Sequence, residues 1–296
     1  MAEISGAIRP AVAERTRHLR TSEIVWRVAL YVVLIGLSLS FLMPLLWMLS
    51  TSVKDTAQTY HVPPIWIPTP MRFQNYPEAL VAQPFGLFFL NTIKYAALSA
   101  IGAILSCSLA AYGFSRIRWY GRDVLFFLCL CTMMIPFQVR MIPLYLIFRD
   151  LHWLNSYKPL IVPAFFGGAY YIFLLRQFFM SVPLELSEAA RIDGAGELRI
   201  FWGIILPLAK PAIAVVGLFQ MIDAWNDFLG PLIYLNQPDL FPVSLGLQRF
   251  LGQFVEKLAW PYLMAASTVV ILPVIVVFFL AQRTFIEGIA ISGIKG

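Results

Sequence analysis

Residues 262–282 read YLMAASTVVILPVIVVFFLAQ and contain no charged side chain. As an α-helix, this stretch is long enough to cross a hydrocarbon layer roughly 30 Å thick. Five further apolar stretches of similar length precede it, and they occupy residues 25–50, 86–112, 124–148, 160–180 and 211–235. The pattern therefore predicts an all-α integral membrane protein with six transmembrane helices.

The overall composition agrees with this fold class. Hydrophobic residues make up 59% of the chain and charged residues 13%, whereas soluble domains contain about 25% charged residues. The net charge of +6 arises from basic residues in short segments between the apolar runs, where they set orientation. Because no basic patch is interleaved with aromatic residues, nucleic acid is not predicted as a partner.

Cysteine and histidine give no pattern of metal ligands. The three cysteines, Cys107, Cys129 and Cys131, lie inside apolar runs, and the histidines are scattered through separate segments. Such cysteines are typical of buried packing positions. We therefore predict no metal site.

Small residues recur every four positions in the second predicted span, at Ser99, Ala103, Cys107 and Ala111. On a helix this spacing places them in one narrow stripe. Such a stripe predicts close contact with neighbouring helices, because small side chains let backbones approach each other in lipid.

Lysine and arginine predict the orientation. Most of them fall before the first span, in residues 116–122, in residues 176–210 or after the last span. The positive-inside rule places these segments, and with them both termini, in the cytoplasm. We thus expect a cytoplasmic segment at 1–24 and a transmembrane domain at 25–296 that ends in a cytoplasmic tail at 283–296. The first apolar run is too long for a signal-peptide core, so we expect it to remain as an anchor.

The longest of these loops, residues 181–210, reads SVPLELSEAARIDGAGELRIFWGIILPLAK. We expect two short helices here, because Pro183 and Glu185 suit a first helical turn and Gly194 suits a left-handed stop. Pro207 is expected to end the second helix. Ala189 and Ala190 keep the first helix slim, as a helix that enters a groove on another protein requires. The alternative is an interfacial helix pair that lies on the membrane.

Polar residues inside the spans are candidates for a translocation path, because an ionisable group at that depth costs about 2.5 to 3.5 kcal/mol on insertion scales. Lys94 is expected either to pair with a carboxylate such as Asp223 or to snorkel. Arg140 either lines the path or holds a helix contact. The path candidates are Asn91, Gln138, Arg140, Asp223, Asn226 and Asp227.

Catalytic motifs are missing from the chain. No phosphate-binding loop of the form Gly-x-x-x-x-Gly-Lys-Ser/Thr occurs, and neither does a nucleophile elbow or a His-Glu-x-x-His motif. The sequence therefore predicts a protein that is not an enzyme and holds no cofactor of its own.

The loop also resembles a known family. The matching positions are Glu188, Ala189, Ala190, Gly194, Ile204, Leu206 and Pro207. In this order and spacing they resemble the EAA loop of binding-protein-dependent ABC importer permeases. Other stretches, including AAYGFSRIRWYGRD (110–123), AWNDFLGPLIYL (224–235) and QRTFIEGIAISGIKG (282–296), are similar to the maltose-type branch, the MalG-like subunits of carbohydrate importers.

This resemblance implies a type I ABC importer permease in the bacterial inner membrane. It implies a second homologous permease, two ATPase subunits that hold ATP and Mg, an external binding protein and a sugar or related solute. The helix around Glu188, Asp193 and Gly194 would dock on an ATPase subunit. Residues 236–260, from Asn236 to Trp260, would contact the binding protein, and the tail from Glu287 would reach between the ATPase subunits.

Two other classes stay open on the residues alone. An ion-coupled secondary transporter also has many apolar helices, although no inverted repeat is visible here. An integral-membrane enzyme would need a cluster of His, Asp or Glu near one face, and the sequence shows none.

Overall fold

The computed structural model describes residues 4–254 and 260–293, with side chains for residues 23–252 and 260–282. These residues form helices and connecting segments, with no β-strand among them. The α-helices are α1 (Ile4–Ser52), α2 (Thr56–Thr59), α3 (Asn75–Ala82), α4 (Phe85–Ser115), α5 (Arg122–Cys131), α6 (Phe137–Asp150), α7 (Lys158–Ile161), α8 (Ala169–Ser181), α9 (Leu184–Ile192), α10 (Glu197–Ile200), α11 (Leu206–Leu208), α12 (Lys210–Asn226), α13 (Leu229–Tyr234), α14 (Val243–Phe254) and α15 (Trp260–Gly293).

The described residues contain four candidate membrane spans, or six when each of two bent helix pairs is counted as one span. Four spans are long enough by themselves, namely Glu23–Ser52, Phe85–Ser115, Lys158–Ser181 and Trp260–Gln282. Two others consist of helix pairs that bend sharply. Arg122–Met134 and Phe137–Asp150 meet at 99°, and Glu197–Leu208 and Lys210–Asn226 meet at 80°.

The third predicted span, 124–148, is wrong as a continuous helix. Ile135 has extended backbone angles, and Pro136, which follows it, is extended as well. Proline disfavours the helical conformation in the residue before it and has no N–H to continue the hydrogen-bond ladder. The chain therefore ends one helix at Met134 and begins the next at Phe137 in a new direction.

The fifth predicted span, 211–235, is too long at its end. Helix α12 ends at Asn226, and Asp227 is extended. One carboxylate oxygen of Asp227 accepts the Gly230 N–H at 3.0 Å. A local side-chain hydrogen bond of this kind competes with helix continuation, and α13 follows as a separate helix.

Helix α4 lies at the centre of the fold and packs against α8 and α12. Its stripe of small residues is confirmed as a contact surface, because Ser99, Ala103, Cys107 and Ala111 are all buried. Gly102 extends this close approach, since a Cβ placed there would lie 2.6 Å from the Phe165 ring. In lipid, close contact of this kind replaces the hydrophobic driving force of a soluble core.

Helix α1 is peripheral. None of the apolar window within Glu23–Ser52 is buried in the chain itself, and α1 contacts mainly α15. An apolar helix with this exposure is stable only against lipid or another apolar protein surface.

Both predicted terminal segments lie partly outside the described residues. The segment 1–24 is helical from Ile4 onward, and residues 1–3 are outside. In the tail, α15 continues to Gly293, whereas residues 294–296 and the side chains from 283 onward, Glu287 included, are outside.

Candidate functional site

The loop at 181–210 begins with helix α9, which follows two extended residues, Val182 and Pro183. Glu185 lies in its first turn and Arg191 in its last. These charges complement the helix dipole, which is positive at the N-terminus and negative at the C-terminus. The first predicted loop helix is thus confirmed.

Helix α9 ends in a Schellman motif. Gly194 is left-handed, with φ +79°. Its N–H donates to the Arg191 carbonyl at 3.0 Å, and the Ala195 N–H donates to the Ala190 carbonyl at 2.9 Å. This pair of bonds satisfies carbonyls that a helix end otherwise leaves open. The predicted left-handed stop at Gly194 is confirmed, and the turn after α9 is well defined.

The second loop helix is continuous from Glu197 to Leu208 but widens into a π-helical turn at Phe201–Ile205. The Leu206 N–H donates to the carbonyl of Phe201, five residues back. Pro207, the next residue, has no N–H to extend the ladder. The helix ends one residue later at Leu208, close to the predicted end at Pro207.

The residues of the EAA resemblance divide into two groups. Ala190, Ile204 and Leu206 are half-buried and pack against the core formed by α4, α8 and α12. The other four are exposed, namely Glu188, Ala189, Gly194 and Pro207, and so is the neighbouring Asp193. The motif thus has two faces. The inner face packs against the core and fixes the loop, and the outer face is exposed in this chain.

Apolar side chains surround the exposed group. Ile192 is 87% exposed and Leu198 69% exposed, and Leu184, Leu186 and Trp202 are exposed as well. Sequence reasoning missed these residues, although large apolar side chains in a charged loop are the signal that identifies them. A contiguous exposed apolar surface with a polar rim is typical of a protein-binding site.

The path candidates on α12 lie near its C-terminal end. The Tyr171 hydroxyl donates to Asp223 at 2.6 Å, and the Tyr95 hydroxyl donates to Asp227 at 2.9 Å. Asn226 donates to the carbonyl of Ile222, within its own helix. Tyrosine hydroxyls therefore hold both carboxylates at fixed positions.

The predicted pairing of Lys94 with Asp223 is wrong. Among the described residues, no salt bridge joins the two, and Asp223 accepts from the neutral Tyr171 instead. Lys94 is exposed, and its Nζ lies 5.7 Å from the centre of the Tyr157 ring. A long side chain that stays outside the core in this way agrees with the snorkelling alternative.

The remaining path candidates lie apart from the α12 group. Gln138 and Arg140 are exposed in the first turn of α6, after the bend at Pro136. Asn91 is on α4, and its amide donates to the carbonyls of Asp239 and Phe241. The structure thus brings together Asp223, Asn226 and Asp227 but does not join Gln138 and Arg140 to them by a described contact.

The segment after α13 is firmly held up to Phe254. It contains a short 3₁₀ helix, Pro238–Leu240, followed by α14. Thr92 accepts the Val243 N–H at 2.8 Å, and Ser244 donates to the Asp227 carbonyl at 2.6 Å. Residues 255–259 of the predicted binding-protein contact lie outside the described residues.

No group of three or more His, Cys, Asp or Glu side chains that could hold a metal ion occurs in the part of the chain that the structure describes. Cys107 lies against Gly168, whose N–H donates to its sulfur at 3.2 Å. This cysteine has the packing role that its apolar surroundings predict.

Four to six candidate spans and an exposed loop helix fixed to the central helices are typical of a membrane transport permease. Residues 102–290 match the family described as "Binding-protein-dependent transport system inner membrane component". The chain belongs to this family and is the membrane-embedded permease subunit of an ABC importer in the inner membrane. This excludes the secondary transporter and the membrane enzyme.

Relatives match over nearly the whole chain. The chain is 32% identical to the arabinooligosaccharides transport system permease protein AraQ of Bacillus subtilis, over 92% of this chain and 97% of that protein. It is 34% identical to the sn-glycerol-3-phosphate transport system permease protein UgpE of Yersinia enterocolitica, over 88% and 95%. It is 32% identical to the sulfoquinovosyl glycerol transport system permease protein SmoH of Agrobacterium fabrum, over 86% and 89%.

Solved structures agree with the fold. A chain in the crystal structure of a bacterial ABC transporter that imports the acidic polysaccharide alginate matches with a TM-score of 0.77 and 28% identity, over 88% of this chain and 97% of that one. A second structure, of an alginate transporter in complex with its alginate-bound periplasmic protein, matches with a TM-score of 0.63 and 17% identity, over 86% and 92%. The second match concerns the fold alone.

Proposed function

We propose that this permease carries a sugar or sugar-related solute, which an external binding protein delivers and two separate ATPase subunits drive with ATP and Mg. A second, homologous permease completes the path. The observation that carries this proposal is the near full-length similarity to permeases of arabinooligosaccharides, sulfoquinovosyl glycerol and sn-glycerol-3-phosphate. All three are sugars, sugar derivatives or phosphorylated polyols.

Uptake by the complete transporter in proteoliposomes tests the solute class. The probes are arabino-oligosaccharides, sn-glycerol-3-phosphate, alginate oligosaccharides and a dipeptide, each offered with the purified binding protein. We expect ATP-dependent uptake of at least one carbohydrate or polyol probe. Uptake of the dipeptide alone, or uptake that does not require the binding protein, contradicts the proposal.

The exposed face of α9 is the proposed docking surface for an ATPase subunit. Two observations support it. The Schellman motif at Gly194 fixes the end of the helix, and the surrounding exposed side chains, such as Ile192, are apolar. A photo-crosslinking residue at Ile192 is expected to capture an ATPase subunit, whereas one at Tyr120, which is fully exposed on another loop, is not. Equal capture at both positions contradicts the assignment.

We propose that six polar residues line the translocation path. They are Asp223 and Asn226 on α12, Asp227 directly after it, and Asn91, Gln138 and Arg140. Support comes from the exposure of Asp223, Asn226 and Arg140 in this chain and from the insertion cost of ionisable groups at membrane depth. Arg140→Ala is expected to change the uptake rate while the ATPase subunits remain bound. Loss of complex assembly would instead show that Arg140 holds a helix contact.

We further propose that residues 25–296 form the transmembrane domain, that the loop at 181–210 and both termini are cytoplasmic, and that residues 236–260 face the binding protein. The distribution of Lys and Arg supports this orientation. Single cysteines at the exposed positions Asp193 and Asp150, in a background without the native cysteines, are expected to react with a membrane-impermeant maleimide from opposite sides. Reaction of both from the same side contradicts the topology.

A further inference from the structure

The C-terminal end of α4 contacts the chain on both sides of α9. Two side chains make these contacts, Tyr112 and Arg116, which are four residues apart and therefore on the same face of the helix. They are 4% and 5% exposed. Neither belongs to the EAA resemblance.

Arg116 holds the beginning of the loop. One of its guanidinium nitrogens, Nη2, donates to the carbonyls of Phe179 and Val182, and Nη1 lies 3.5 Å from the carbonyl of Pro183. These carbonyls lie at the end of α8 and immediately before α9, where few backbone donors remain; the Phe179 carbonyl also accepts the Val182 N–H at 3.3 Å. Among the described residues, Arg116 has no carboxylate in salt-bridge contact. Its buried charge is stabilised by these carbonyls and by the negative end of the α8 dipole.

Tyr112 holds the end of the loop helix through Glu197. The Tyr112 hydroxyl donates to Oε2 of Glu197 at 2.6 Å, and Nε of Arg191 donates to Oε1 of the same carboxylate at 2.8 Å. Arg191 belongs to the last turn of α9 and Glu197 is the first residue of α10. The carboxylate therefore connects α4 to both sides of the Gly194 turn.

These contacts lie beside the two points where the loop leaves the helical conformation. Val182 and Pro183 are consecutive extended residues between α8 and α9, and the left-handed Gly194 separates α9 from α10. The packing of Ala190 against the core holds α9 between these points, and the side-chain contacts to α4 hold it at them. With these contacts, α9 is fixed to α4, which itself packs against α8 and α12.

We propose that Tyr112 and Arg116 are positioning residues that make α9 and the central helices move as one body, so that a displacement of α9 reaches the spans. This inference rests on the proposed docking of α9 on an ATPase subunit. Removing either contact leaves the docking surface of α9 intact, because the exposed group at Glu188 and Asp193 takes no part in it. The loss is therefore one of coupling, in which ATP is hydrolysed with less solute moved.

The test compares Tyr112→Phe and Arg116→Met with two matched controls, Tyr120→Phe and Arg118→Met, both at exposed positions on the next loop. Tyr112→Phe keeps the ring, which packs against Phe201 with ring centres 5.2 Å apart, and removes only the hydroxyl. The complete transporter is reconstituted in proteoliposomes, and solute uptake and ATP hydrolysis are measured on the same preparation with saturating binding protein.

We expect the ratio of solute transported to ATP hydrolysed to fall about tenfold in Tyr112→Phe and Arg116→Met, the factor that one hydrogen bond to a charged group contributes. Co-purification of the ATPase subunits and the thermal midpoint of the complex are expected to match those of the controls in Tyr112→Phe. Arg116→Lys keeps the positive charge but loses the planar set of guanidinium N–H donors. Its ratio of solute transported to ATP hydrolysed should lie between those of Arg116→Met and the unmodified protein.

An unchanged ratio in both variants overturns the proposal. So does a ratio that falls only together with ATPase co-purification, because that result means that the residues support folding or docking and not coupling. Crosslinking at Ile192 separates this outcome from failure of the proposed docking. If the ATPase subunit is captured and the ratio stays normal, docking is correct and the positioning role is wrong; if no ATPase subunit is captured, the docking assignment itself fails.

Discussion

The two ends of α4 are both fastened to irregular segments, but by different chemistry. At its C-terminal end, Arg116 and Tyr112 contact the loop at 181–210 through a buried guanidinium and an ionised carboxylate. At its N-terminal end, Asn91 and Thr92 contact the segment after α13 through a neutral amide and a neutral hydroxyl. One end thus uses charges and the other uses dipoles.

Burial does not by itself separate the two ends, because the charged Arg116 and the neutral Thr92 are both buried. What differs is that backbone carbonyls accept the Arg116 charge and that the second charged contact, at Glu197, is partly exposed. Thr92 is fully buried, and a charge in that position would lose its hydration without a countercharge. Arg191 and Glu197, in contrast, keep side-chain exposures of 38% and 41%. Because such exposed pairs are weak and screened by solvent, the Arg191–Glu197 pair across the Gly194 turn is weaker than the buried contact at Thr92, although the buried Arg116 still keeps α9 attached to α4. This comparison predicts a firm attachment at one end and, at the Gly194 turn, an adjustable attachment at the other.

The largest effect is expected at the firm end, from Thr92→Val. The substitution keeps the shape of the side chain but removes the acceptor of the Val243 N–H, which leaves a buried donor unpaired. This costs about 1–3 kcal/mol. Hydrogen exchange at the Val243 amide is expected to accelerate by about tenfold or more, as measured by mass spectrometry of peptides from residues 236–254.

Thr268→Val is the matched control, because the Thr268 hydroxyl donates only to the Met264 carbonyl of its own helix. Exchange at Val243 should be unaffected by this change. Unaltered exchange in Thr92→Val would show that the hydroxyl does not hold the segment, and the firm end of the comparison would be wrong.

Gly194→Val should have the next largest effect, this time at the adjustable end. A Cβ at Gly194 meets no atom within 4 Å, so the penalty comes from the φ of +79° alone. Left-handed backbone costs an L-residue roughly 1–2 kcal/mol, and more when the side chain is β-branched. We expect uptake and binding-protein-stimulated ATP hydrolysis to fall about fivefold to thirtyfold, since each 1.4 kcal/mol is a factor of ten.

The neighbouring Gly196 provides the control. It also has open space at its Cβ position, but its φ of −74° is open to every L-residue. Gly196→Val is therefore expected to keep most of the activity. If both variants lose activity equally, the bulk of the side chain and not the backbone conformation is responsible.

How much of the fold and of the candidate site could be predicted from the sequence depends on how far apart in the chain the contacting residues lie. The Gly194 turn depends on a few neighbouring residues, and its position was predicted correctly. The apolar composition of residues 124–148 locates the third span. It does not show the bend at Pro136, because the residues on both sides of the bend are apolar. The roles of Tyr112 and Arg116 depend on partners 85 and 63 residues away, and no local pattern marks such contacts. Charge complementarity favoured Lys94 as one partner for Asp223, which instead accepts from the neutral Tyr171.

A smaller effect is expected from Glu188→Lys on the exposed face of α9. The substitution reverses a charge that faces away from the core, so the fold of the chain should not change. Weaker docking on the ATPase subunit should lower its co-purification and the stimulated ATP hydrolysis by a few-fold, as for a charge at the rim of an interface. Glu188→Gln removes the charge without reversing it. Its co-purification and stimulated ATP hydrolysis should lie between those of the unmodified protein and those of Glu188→Lys. Full activity in Glu188→Lys would favour an interfacial helix pair that lies on the membrane.

The smallest effect is expected at Glu78, where α3 meets α15. The Tyr262 hydroxyl and the Arg72 guanidinium both donate to this carboxylate, and they lower its pKa below the ordinary value of 4.5. A carboxyl with a lowered pKa stabilises the folded state above its unfolded pKa and loses this contribution as the pH falls through the folded pKa. The contribution is thus complete at neutral pH, declines below about pH 4.5 and vanishes below the lowered folded value. Glu78→Gln should lower the thermal midpoint of the complex slightly at pH 7, and its difference from the unmodified protein should shrink as the pH falls below about 4.5. A difference between Glu78→Gln and the unmodified protein that stays the same as the pH falls below about 4.5 would mean that packing, and not the ionised carboxylate, connects α3 to α15.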